Sequence, residues 1–193
     1  MISELVKANR SCRRFYEDHQ VALKTLEELV DLARLSASGG NLQPLKYILA
    51  CRPDVNTEIF SCLAWAGYLK DWPGPEAGER PSGYIVILGD TTISKEFGVD
   101  HGIAAQSMLL GAREKGLAGC IMGTINRKDL RPILNIESHL KILLVVAIGK
   151  PKEEVVIEPV GPNGNIRYWR DAEAVHHLPK RALSDLILAS HGS

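Results

Sequence analysis

Arg10-Ser11-Cys12-Arg13-Arg14-Phe15, followed further along by Ser38-Gly39-Gly40-Asn41-Leu42-Gln43-Pro44, are the segments on which the reading of this chain turns. The first sets three guanidiniums and a hydroxyl close together. Arginine forks match phosphate geometry in both shape and charge. The second segment is poor in side chains, and glycine there lets backbone approach a flat ring closely. Asn41 and Gln43 add amides that can read such a ring. Each segment also has a plainer reading. Arg-Ser-x-Arg-Arg alone reads as a solvated basic turn between helices, and Gly39-Gly40 alone as a helix C-cap and turn.

Working outward, Leu23, Leu26, Leu29, Val30, Leu32 and Ala33 recur at helical spacing, so a helix is expected over 21–35, stopped by Gly39-Gly40. Lys46 to Cys51 reads as a strand and Asp54 to Leu69 as a helix capped by Asp54 or Asn56. Asp71 to Gly83 holds three prolines and three glycines, which neither ladder nor helix tolerates, so it reads as a loop. Tyr84 to Leu88 reads as a buried strand. Asp100 to Lys115 reads as a helix whose small residues (Gly102, Ala104, Ala105, Ser107, Gly111, Ala112) suit close packing at the centre of the fold. Strands are expected at 117–122 and 140–148, with a short helix over 128–134 between them. The tail reads as a hairpin, 155–160 with 166–169 about a Gly161-Pro162-Asn163-Gly164 turn, then a last helix over 182–189. No GxGxxG follows a predicted strand, and the strand at Tyr84 has no helix directly before it. The pattern therefore points to a mixed α+β sandwich rather than a Rossmann wind.

The 193 residues are 45% hydrophobic and 24% charged, with a formal net charge of zero. That suits one globular domain spanning 1–193, with 151–193 as an extension packed on the same domain or on a partner subunit. A neutral chain lacks the basic footprint of a nucleic-acid binder, so no nucleic-acid partner is expected. It also makes the arginine cluster a local feature with a specific anion to meet. The longest apolar run, Ile142 to Ile148, is too short to span a bilayer. Met1 to Glu4 does not read as a secretory signal. Cys12, Cys51, Cys62 and Cys120 lack metal-ligand spacing, so reduced thiols, a cytoplasmic location and no metal are expected. His176-His177 reads as surface or interface histidine, and no nucleophile elbow supports a hydrolase.

Asn9-Arg10-Ser11-Cys12-Arg13 and Ala37-Ser38-Gly39-Gly40-Asn41-Leu42-Gln43-Pro44-Leu45 together resemble the R-R-S-x-R and P-S-x-x-N-x-Q-P-W motifs of the nitroreductase family of FMN-dependent NAD(P)H oxidoreductases. Asn9, Ala37 and Leu45 depart from that pattern. The likeness continues through Asp100 to Gln106, similar to the family's central helix, and Gly116 to Gly123, similar to its segment beside the reactive flavin edge. Leu144 to Pro151 is similar to its closing strand and Lys180-Arg181 to its basic pair.

The resemblance implies a central, mainly antiparallel sheet flanked by helices, in a homodimer with shared active sites. It implies that Arg10, Ser11, Arg13 and Lys180, with Arg181 in support, hold the FMN phosphate. Ser38, Gly39, Asn41 and Gln43 then address the ring and ribityl chain, and the Met122-Gly123 backbone lies at its edge. The implied reaction is ping-pong hydride transfer from NADH or NADPH, through the flavin N5, to a nitroaromatic, quinone or related acceptor. No side chain is nominated as a general acid, base or nucleophile. Trp72 and Tyr68 are candidates for the substrate pocket, whereas Trp65 reads as core. Three alternatives remain open at this point. One is another flavin reaction on the same scaffold, such as reductive dehalogenation or flavin destruction. The others are a non-catalytic FMN- or nucleotide-binding sensor and a structural dimer without flavin.

Overall fold

The computed structural model describes residues 1–192. Five strands form one sheet. β1 (Phe15–Tyr16), β3 (Gly83–Asp90) and β4 (Ala118–Met122) each pair antiparallel with β5 (Leu140–Pro151), and β2 (Leu45–Ala50) pairs antiparallel with β3. All eight residues of β3 are buried. Their alternation divides the core in two, as the period of a strand requires. Tyr84, Val86 and Leu88 point into one cluster, with Ile59, Leu130 and Ile142. Ile85 and Ile87 point into the other, with Leu26, Leu29, Ala105 and Met108.

The first cluster is roofed by α3 (Pro53–Ser61) and α5 (Arg127–Ile133), the second by α2 (Leu23–Arg34) and α4 (Asp100–Glu114). The small residues of α4 do what their size suggests. A Cβ at Gly111 would lie 2.2 Å from Leu32 Cδ1 and 3.2 Å from Leu29 Cδ2, so glycine there lets these leucines of α2 pack directly on α4. Among the described residues no helix is long and apolar enough to cross a membrane.

Three expectations are corrected. The helix expected over 54–69 ends at Ser61, because the chain is then drawn across to the segment after β4. Leu63 bridges Ile125, and the Ala64 N–H donates to Thr124 O at 3.2 Å. The tail hairpin is not formed. β6 (Val155–Pro159) instead pairs in parallel with β8 (His176–Lys180), whose other neighbour is β7 (Trp169–Arg170). The Gly161–Gly164 turn does form, closed by a 2.9 Å bond, but it opens a longer connection. The helix expected over 182–189 is a single 3₁₀ turn, Leu183–Asp185. Leu183, Leu186, Ile187 and Leu188 are all exposed, and a short helix without a buried face lacks the packing that stabilises it. An N-terminal helix not expected from the sequence, α1 (Ile2–Ala8), precedes the arginine cluster.

Gly119 in β4 leaves no room for a side chain. An added Cβ would lie 2.4 Å from Ala147 O and 2.7 Å from Leu109 Cδ2. Gly119→Ala is therefore expected to lower stability by about 1–3 kcal/mol, the cost of overpacking a rigid site, read as a lower urea midpoint.

Candidate functional site

The segment between α1 and β1 is held against the edge of β4: the Cys12 N–H donates to Gly119 O at 3.0 Å, and Ser11 bridges Gly119. This lays the arginine cluster beside the end of β8. Arg10, Ser11, Arg13 and Lys180 line one cavity of about 310 Å³ with Asn9 and Gln106. Its rim is completed by Tyr168 and His176 of the tail. Three cations line it and no carboxylate does. Arg10 anchors one arm to Val6 O at 2.7 Å, while its Nε is buried and has no partner among the described residues. An unpaired buried donor is costly, and an anion is the natural acceptor for it. Arg181 follows Lys180 and is exposed.

The third guanidinium of the cluster goes elsewhere. Arg14 donates two bonds of 2.6 Å to Glu79, which Lys152 joins at 3.0 Å. These bonds, Arg14's first, pull the Glu79 carboxyl down to about 2. Arg14 thus fastens the Pro/Gly-rich loop to the sheet and takes no place in the cavity.

Ser38, Gly39, Asn41 and Gln43 form a separate feature. The Ser38 hydroxyl donates to Asp100 Oδ2 at 2.6 Å, and the Gly39 N–H donates to Asp100 Oδ1 at 3.0 Å. The Gln43 N–H in turn donates to Ser38 Oγ at 3.0 Å. Gly40, Asn41 and Gln43 have φ of 55°, 55° and 51°, with Leu42 right-handed between the last two, and the loop is pinned by one buried carboxylate. Asn41 and Gln43 remain exposed. A second cavity, about 150 Å³, lies beside the loop, lined by Ser38, Gln43, Tyr47, Asp100 and Ala104 among others.

Of the remaining residues singled out above, Met122 turns its side chain into the core, while Gly123 has open space around it. Trp65 is core, as expected. Trp72 packs on the same cluster and is covered by the Arg170 guanidinium, 4.1 Å from its ring centre. Tyr68 is half exposed and packs on Tyr168 at 4.9 Å. The reading of His176-His177 as surface or interface residues is corrected for His176, which is 1% exposed. His177 lies between Asp171 at 3.0 Å and Glu158 at 3.1 Å, bonds that raise its pKa, Asp171's first. Among the described residues no cluster of ligands suits a metal. Asp100, Glu153, Tyr168 and His176 carried no sequence signal for the site. Each acts across a long sequence separation, which only the tertiary structure closes.

A family model, that of the nitroreductase family, matches residues 6–76 and 84–150, more than half of the chain. The chain belongs to the nitroreductase family. An Archaeoglobus fulgidus protein with the provisional name NADH dehydrogenase/NAD(P)H nitroreductase is 27% identical over 159 residues, 78% of this chain and 86% of its own length. An iodotyrosine dehalogenase 1 homolog of Caenorhabditis elegans is 27% identical over 184 residues, 80% of this chain but 56% of that protein. Among solved structures, an FMN-dependent nitroreductase from Clostridium difficile superimposes with a TM-score of 0.65 at 24% identity, over 80% of this chain and 89% of its own. The expected α+β sandwich with a mainly antiparallel sheet is thus the nitroreductase fold.

The Glu79 carboxyl sits below its ordinary value of 4.5, so its contribution to stability is complete above that pH and is lost as pH falls through about 2. Glu79→Gln is expected to cost about 1–2 kcal/mol at pH 7, the range for a partly screened, charge-assisted pair. The gap from wild type closes as denaturation curves are taken toward pH 2.

Proposed function

We propose that this protein is an FMN-dependent, NAD(P)H-driven oxidoreductase of nitroaromatic, quinone or related acceptors, working as a homodimer with shared sites. The observation that carries this reading is the cavity where Arg10, Arg13 and Lys180 converge without a carboxylate in a chain of zero net charge. The unpartnered, buried Arg10 Nε fits a phosphate oxygen, and Ser11 adds a hydroxyl. FMN, when bound, supplies the exchange of hydride between nicotinamide and acceptor.

The chain's own residues bind and orient. Arg10, Ser11, Arg13 and Lys180 hold the phosphate, with Arg181 exposed nearby to add long-range attraction. Ser38 and Gly39, pinned by Asp100, present Asn41 and Gln43 to the ring. Open space at Gly123 lets a ring edge approach the backbone after β4. Solvent supplies protons to an open cleft, so no side chain is assigned general acid or base work. Tyr68 and Trp72, beside the tail, are the aromatic groups proposed for the acceptor side.

The two features lie on different faces of α4. Asp100 and Ala104 line the cavity by the Ser38 loop, whereas Gln106 and Leu109 line the arginine cavity. At 3.6 residues per turn these pairs are about half a turn apart. A ligand reaching from the arginine cavity to a Ser38 loop therefore suits a loop from a second copy, and this geometry supports the homodimer. On this reading residues 1–193 are one domain, its tail serving the same site.

The protein is expected to purify with a flavin absorption band that NADH or NADPH bleaches without oxygen; a bound flavin that neither bleaches marks a sensor instead. Arg13→Ala is expected to weaken FMN binding about tenfold or more while circular dichroism stays unchanged. Sedimentation on dilution should show FMN leaving as the dimer dissociates, and a flavin-loaded monomer would overturn the shared site.

A further inference from the structure

The tail beyond residue 150 lies outside the stretch that the family model matches, yet it supplies Tyr168, His176 and Lys180 to the arginine cavity. Its attachment is a buried carboxylate. The Glu153 side chain is wholly inaccessible; it accepts the Arg13 backbone N–H at 2.8 Å and Arg170 Nε at 3.0 Å. The His176 N–H donates to Glu154 O at 2.8 Å, which fixes β8 beside it. His176 Nε2 then lies 3.3 Å from an Arg13 guanidinium nitrogen, and the Tyr168 ring lies 4.7 Å from Arg13 Cζ. Tyr168 and His176 pack together at 5.1 Å.

We propose that His176 is a positioning residue for Arg13: its Nε2 lone pair accepts one guanidinium N–H and, with Tyr168 against the guanidinium, aims the fork into the anion cavity. The inference rests on the flavin reading above and adds a residue to it. A guanidinium only donates, so contact at Nε2 requires that nitrogen to be unprotonated. The proton of the neutral ring is then on Nδ1, whose nearest carboxylate oxygen, Glu153 Oε1, is 3.8 Å away. The charged groups facing the ring are Glu153, Arg13 and Arg170 with neighbouring His177, and Tyr168 completes the wall. Burial first, then the two arginines and His177, outweigh Glu153 and push the His176 pKa down to about 4. The acceptor state therefore holds at neutral pH. Protonation in acid places a cation against Arg13 and removes the bond.

The test compares the affinities of FMN and riboflavin, which lacks the phosphate, in wild type, His176→Ala, His176→Gln, Arg13→Ala and the Arg13→Ala/His176→Ala double variant. His176→Ala is expected to weaken FMN about tenfold, leave riboflavin unchanged, and add nothing once Arg13 is alanine. His176→Gln, which keeps an acceptor oxygen, is expected to restore most of the loss. The FMN phosphate itself gains a proton at about pH 6 in every variant, so the expected signature is a further fall toward pH 4 that wild type shows and His176→Gln does not. An unchanged FMN affinity, an equal loss for riboflavin, or an undiminished loss in the Arg13→Ala background overturns the inference and leaves the flavin reading standing. Wild type that binds neither flavin overturns that reading and this inference with it. If His176→Ala does not fold, His176→Phe, which keeps a ring against Tyr168 without the acceptor, takes its place. The ¹⁵N shifts of His176 in wild type need no variant: an unprotonated Nε2 is expected, and a protonated one overturns the proposal.

Discussion

Burial of β3 on both faces is the constraint to which the rest of the molecule answers. A strand with no solvent face must be covered by helices above and below, and its alternate side chains must lie in different cores. Tyr84, Val86 and Leu88 belong to one, Ile85 and Ile87 to the other. β5 is locked beside it, and β4 and β1 pair with successive stretches of β5. The arginine segment is then carried to the β4 edge by its bridge to Gly119. Close packing of α2 on α4, with glycine at 111 where leucines of α2 meet it, brings the Ser38 loop to Asp100 at the start of α4. Both halves of the proposed cofactor site are thus set by how the central sheet is covered.

Charge is sorted inside this frame rather than spread over it. The three neighbouring arginines meet three different fates. Arg14 is consumed by Glu79, Arg13 is seated by the tail, and Arg10 keeps a buried Nε without a partner. Buried carboxylates do the sorting: Glu153 accepts the Arg13 backbone and the Arg170 side chain and is not among the residues that line the cavity. Asp100 is spent in the same way on the Ser38 loop, holding a turn in which two non-glycine residues, Asn41 and Gln43, take positive φ. The cavity is lined by three cations and no carboxylate.

The sequence was most legible where one local pattern sufficed. The apolar run at Tyr84, the periodic α2 and the small-residue α4 lie close to where spacing put them, since burial of one stripe or strand decides each. Legibility failed where tertiary pairing overrode local preference. The residues after Ser61 left the helix to meet Thr124 and Ile125, and Val155–Pro159 found a parallel partner in β8 instead of a hairpin mate. The apolar 183–188 segment is helical in pattern yet makes only one 3₁₀ turn, because among the described residues nothing buries its leucines and Ile187.

By itself, then, the sequence determined the fold class and which residues are candidates for the proposed anion and ring contacts, because periodicity, glycine placement and clustered guanidiniums are local properties of the chain. Tertiary structure decided which arginine is taken up by Glu79, that Asp100 shapes the loop, and that Tyr168 and His176 reach Arg13. Those outcomes depend on contacts between residues far apart in the chain, and such contacts exist only once the sheet has formed and the helices have packed against it.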